Sequence, residues 1–144
     1  MISAQEQFRS FLRDNLAPRL RALGFTGSGQ NFSIPSETCW ALMGIQRSRW
    51  SDRKELKFTL NLYVVPREEW ENAKKDRSYL SKAPSANTRW PIGWHQRIGS
   101  VMPEKKDLWW RFPPATDASR LAAEIAQVVD TYALPEIRKR IEDV

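Results

Sequence analysis

Apolar residues recur at helical spacing near the start of the chain, with Phe8, Leu12, Leu16 and Leu20 on one stripe, joined by Phe11 and Leu23. Arg9, Arg13, Asp14, Arg19 and Arg21 fall mostly between them, so the pattern predicts an amphipathic first helix. Ser3 followed by Glu6 has the form of a capping box at its start. Pro18 lacks a backbone donor and crowds the preceding turn, so the helix should kink or restart there. Gly24 suits its end, with Phe25 folding back on the last turn.

Beyond Gly24 the period changes. Residues 26–30 read as a turn, 31–34 as a short strand, 35–37 as a second turn and 38–47 as a mostly apolar strand. The polar residues 48–55 connect it to the clearest strand, 56–65. There Leu56, Phe58, Leu60, Leu62 and Val64 alternate with Lys57, Thr59, Asn61 and Tyr63. Pro66 ends that strand and suits the first turn of a short helix over 67–75. Residues 76–93, with Pro84 and Pro91, form a long loop, a length that marks either a lid or packed structure. Segments 95–101 and 107–112 read as paired strands around a turn at 102–106. Thr116 or Asp117 caps a helix carrying Leu121, Ile125, Val128, Val129 and Tyr132, and Pro135 opens a last helix with Ile137 and Ile141. The expected fold is α+β, with residues 1–144 as a single domain. An antiparallel sheet of about five strands carries the N- and C-terminal helices on one face, and the other face is left open.

Composition changes the picture in three ways. Apolar residues at 41% and charged residues at 28% fit a globular chain and exclude a disordered one. A formal net charge of +6 favours anionic partners. Cys39 is the only cysteine, so no intramolecular disulfide is available. With no leader-like N-terminus and no apolar run of about 20 residues, a cytoplasmic protein without membrane contact is expected.

Candidate chemistry is sparse. Cys39 and His95 would make a nucleophile and base only if the fold joined them, and one His with one Cys leaves too few soft ligands for zinc. Gly27, Ser28 and Gly29 make a turn and not a phosphate loop, and Glu68, Glu69 and Glu71 lie on a surface helix. No catalytic residue, cofactor or metal is expected, and a small-molecule enzyme ranks third among the functions. Strand alternation is more informative. With the even positions of 56–64 turned to the helices, and Ile98, Leu108, Trp110 and Phe112 inward, the outer face carries Lys57, Tyr63, His95, Arg97, Trp109 and Arg111. Cations interleaved with flat aromatics suit single-stranded nucleic acid and equally an acidic protein, while the bland alternative is a face that these residues simply solvate, with Trp109 covered by the long loop. A non-enzymatic module for a protein partner, acidic or not, is the first reading because no arginine- or lysine-rich run marks a nucleic-acid track. Single-stranded nucleic acid is the alternative. Trp90 and Trp94 make either the rim of such a site or staples for the long loop.

Several segments carry a family resemblance. They are Leu20-Arg21-Ala22-Leu23-Gly24-Phe25, Asn31-Phe32, Ile45-Gln46-Arg47-Ser48, Phe58-Thr59-Leu60-Asn61-Leu62, His95-Gln96-Arg97-Ile98-Gly99 and Leu108-Trp109-Trp110. In that order they resemble a bacterial family catalogued as domain of unknown function 4304. The resemblance spans most of the chain, and the loop around 76–92 and the C-terminal helices are its least distinctive parts. It implies the domain reading and transfers no activity and no catalytic residue.

Overall fold

The computed structural model describes residues 2–49, 51–52 and 54–144, so the polar connection expected over 48–55 lies outside the described residues at Trp50 and Arg53. The chain opens with α1 (Ala4–Phe11), a π-helical turn (Leu12–Leu16) and α2 (Ala17–Ala22). The Ser3 hydroxyl accepts from the Glu6 amide at 3.2 Å, as the capping pattern predicts. Pro18 neither breaks the helix nor stands in its middle. The widened turn before it bonds the Ala17 amide to the Leu12 carbonyl, which makes room for a ring that cannot continue the ordinary ladder. Pro135 is handled the same way. It follows α4 (Ala118–Val128) and a second π-helical turn (Val129–Ala133), in the first turn of α5 (Leu134–Glu142). Asp117, the second of the two cap candidates, accepts from the Arg120 amide at 2.8 Å. At the end of α2 the Gly24 amide reaches Arg21 and the Phe25 amide reaches Leu20, and Phe25 folds into the core.

Among the described residues six antiparallel strands make the sheet: β1 (Thr26–Ser28), β2 (Asn31–Ser33), β3 (Cys39–Arg47), β4 (Leu56–Pro66), β5 (Trp94–Arg97) and β6 (Trp110–Phe112). The order is β1-β2-β3-β4-β5, with β6 also on β4. Two expectations are corrected. Residues 26–30 are not only a turn, because Thr26 pairs with Ser33 and leaves a two-residue hairpin at Gly29 and Gln30. Segments 95–101 and 107–112 do not pair with each other. Asn61 faces Arg97 and Phe58 faces Trp110, so β5 and β6 share one edge of the long β4. Between them the chain leaves the edge through a 3₁₀ turn (Ile98–Val101) and folds back against itself. Gly99 permits that return, since a Cβ there would strike the Lys106 carbonyl oxygen.

The helices cover the face that alternation predicts. Leu56, Phe58, Leu60, Leu62 and Val64 join Cys39, Ala41, Met43 and Ile45 of β3 in a core closed by α1, α2, α4 and α5. Phe8 is its aromatic hub, with ring centroids 4.9 Å from Phe58 and 5.4 Å from Phe112, each such pair worth about 0.5–1.5 kcal/mol beyond area burial.

The opposite face is not uniformly open, which corrects the expectation. Its upper half carries a second core: Tyr63, Val65 and partly buried Trp40 and Leu42 lie under Trp70 and Ala73 of α3 (Arg67–Asp76) and under Leu80 and Ala86 of the segment that follows. The long loop is therefore packed structure. Trp90 meets Trp70 edge-on at 5.0 Å, and its Nε1 donates to the Ser85 carbonyl at 2.8 Å. Trp94, the other candidate staple, packs on the helix-side core instead. Cys39 belongs to the helix side and His95 to the other, so the sheet separates the one thiol from the one imidazole. Among the described residues no helix is long and apolar enough to cross a membrane.

Candidate functional site

The six outward residues divide between two environments. Tyr63 and His95, opposite each other in β4 and β5, sit at the boundary of the second core. Tyr63 is fully buried and donates its hydroxyl to the Ile92 carbonyl at 2.6 Å. His95 is half-buried, with Nε2 2.8 Å from the Ala86 carbonyl. A carbonyl only accepts, so Nε2 carries the proton. These two side chains tie the loop to the sheet, and of the two only His95 keeps an accessible edge.

Burial, with a smaller contribution from Glu69, pushes the Tyr63 phenol far above its ordinary value of 10.0. The unfolded chain ionises first as pH rises, so the stability this phenol contributes is complete below pH 10 and declines above it. Denaturant melts of wild type should therefore lose stability more steeply above pH 10 than melts of Tyr63→Phe. Equal slopes would show the phenol to be solvated.

Lys57, Arg97, Trp109 and Arg111 occupy the lower half of the face, which no helix covers. Asp107 organises two of them. It accepts from Arg97 Nη1 at 3.0 Å and from Trp109 Nε1 at 2.9 Å, and the guanidinium stands 5.1 Å over the indole. Burial alone would raise the Asp107 carboxyl, but the hydrogen bonds from Trp109 and Arg97 outweigh it and hold it below the usual carboxylate value. Arg97 and Trp109 are thus aimed as a unit. Arg111 faces Lys57 directly across β6 and β4. Its Nε lies 3.6 Å from Glu55, a loose pair at a guanidinium 69% exposed. Two cations directly opposite on an antiparallel pair repel, and Glu55 offsets part of that repulsion.

A polar seam that sequence reasoning missed separates the two halves. Asn61 Nδ2 donates to Gln46 Oε1 at 2.6 Å and to Asn87 Oδ1 at 3.0 Å, and Asn87 Nδ2 donates to the Ile45 carbonyl at 3.0 Å. Asn87 can reach the sheet only because β3 has Gly44 below it, where a Cβ would collide with the amide. The signal in the sequence was a glycine inside an apolar strand, which marks a close approach. Beside the seam lies a cleft of about 390 Å³ lined by Asn61, Arg89, His95, Arg97 and Lys105, with Asp107 its one carboxylate among the described residues. The arrangement can hold an anion through several guanidinium and ammonium groups.

The family described as Domain of unknown function (DUF4304) matches residues 16–139, including the whole sheet and most of every helix except α1. Searches of curated proteins and of solved structures found no significant match.

Proposed function

The chain belongs to the DUF4304 family, and from that footing we propose that it is a non-enzymatic interaction module whose lower outer sheet face binds an acidic segment of a partner protein. One observation carries this reading: Lys57 and Arg111 stand directly opposite each other on an uncovered edge, beside the Arg97–Trp109 pair. A cross-strand cation pair costs the free protein stability that a bound carboxylate would return. The net charge of +6 draws an acidic partner to this face from a distance. Nucleic acid ranks second because a single-strand platform uses several free aromatic faces. Among the described residues Trp109 is the one aromatic of the lower half, and the Arg97 guanidinium stands over it.

Reversal of two charges tests the reading. Arg97→Glu/Arg111→Glu should keep a cooperative circular-dichroism melt, since both side chains lie outside the two cores. It should also lose binding to poly-L-glutamate in low salt, measured by fluorescence titration. A variant that binds as wild type does would refute the assignment, and so would one that fails to fold, because the arginines would then be structural. Tighter binding of wild type to oligo-dT than to polyglutamate would move the nucleic-acid reading to first place.

A further inference from the structure

The lower face does not end at the sheet. A cleft of about 370 Å³ joins Trp109 to Gln46, Arg47, Ser48 and Arg49 at the end of β3. The same four β3-end residues line a second cleft of about 480 Å³, which reaches Gln5 and Gln30. Gln30 and Arg47 in turn border a third, of about 520 Å³, between α1 and the β1–β2 hairpin. Arg47 is common to all three, so they form one trough that leaves the outer face, rounds the end of β3 and arrives at the first helix.

The lining changes character along the way. Among the described residues no carboxylate lines any of the three clefts. At the α1 end the recessed floor is the outer edge of Phe8 and Leu12, 2% and 4% exposed, flanked by Arg9, Arg13 and Arg47. Arg13 is held by Asp14 at 2.8 Å. Arg9 and Arg47 are exposed, and no hydrogen bond or ion pair engages either guanidinium among the described residues. Cations without counter-charges around an apolar floor are complementary to an apolar side chain flanked by carboxylates. Nucleic acid would use the charges and leave that floor unused, because among the described residues no stacking ring is exposed at the α1 end.

Resting on the reading of the sheet face as an acidic-segment site, we propose that the bound segment is an extended acidic peptide. It continues from Trp109 through the trough past Arg47, and it seats an apolar side chain over Phe8 and Leu12 between Arg9 and Arg47. The sheet face then supplies attraction and the α1 end supplies selectivity.

The test is fluorescence anisotropy with two labelled synthetic peptides, an oligoglutamate and the same oligoglutamate carrying leucines near one end. Wild type should bind the leucine-bearing peptide about tenfold more tightly, the scale of one well-seated apolar group. Arg9→Glu/Arg47→Glu should weaken both peptides about tenfold or more and erase the leucine advantage. If that variant fails to melt cooperatively, Arg9→Gln/Arg47→Gln is read in its place for the same losses. Should trough reversal leave both affinities unchanged while Arg97→Glu/Arg111→Glu abolishes them, the trough is overturned and the sheet-face site stands. If neither reversal weakens binding, both fall. Stronger binding of oligo-dT that depends on Arg9 and Arg47 would overturn the peptide as occupant.

Discussion

Replacing Leu60 by aspartate should leave no cooperative folding transition. Leu60 is fully buried at the middle of β4, opposite Ile45 of β3, and faces the core that four helices close. Truncating such a leucine even to alanine costs about 2–5 kcal/mol. Aspartate adds a buried charge with no partner, and the stability of a whole domain is only about 5–15 kcal/mol. Circular dichroism against temperature checks this. A Leu60→Asp protein that melts with wild type would place residue 60 at the surface and invert the phase of the whole strand.

Trp70→Ala should produce the second-largest effect, and a local one. The indole is fully buried on the inner side of α3, packs edge-on against Trp90 and donates Nε1 to the Ser81 carbonyl at 3.3 Å. Removing it should cost about 3–5 kcal/mol. The loss should concentrate on one side of the sheet, because the two cores are separated by it. Amides of residues 77–93 should exchange with solvent far faster, while those of β3 and β4 next to α1 and α4 change much less. Uniform acceleration throughout the chain would mean that the outer layer is not a separate packing unit.

How much of this was legible depended on whether a residue's neighbours were local. Alternation through residues 56–65 identified the helix side of β4 correctly, because period 2 is dictated by the pleat alone. The outer side needed a second clue. Trp40 and Leu42 in β3, with Val65 in β4, are apolar at positions of outward parity, a pattern of strands buried on both faces. Read together they would have predicted a covering layer over Tyr63. β1 had no signal to read, since Thr26, Gly27 and Ser28 are all exposed and only their pairing with β2 defines the strand. Nor could composition tell that β5 and β6 share an edge, because both partners lie on β4.

The site divides in the same way. Lys57, Arg97 and Arg111 follow from parity within their own strands, and Trp109, one residue before β6, from the same alternation extended. The Asn61–Asn87 bond spans 26 residues of chain and the trough joins Arg9 of α1 to Arg47 of β3, so both depend on tertiary folding. Burial removes Tyr63 from the six outward residues, and His95 remains at the surface only through the cleft it lines with Arg97.

The outer face is sealed above the polar seam, and the proposed binding lies below it. The tryptophan indoles are built-in reporters of that division, with Trp70 and Trp90 above and Trp109 below. The direct measurement is a titration of ¹⁵N-labelled protein with poly-L-glutamate, following the indole Nε1–H resonances. Shift of the Trp109 indole at low polyanion, with those of Trp70 and Trp90 unmoved, is the predicted result. Movement of Trp70 and Trp90 with Trp109 unmoved would contradict it, since the anion would then bind where the face is described as closed.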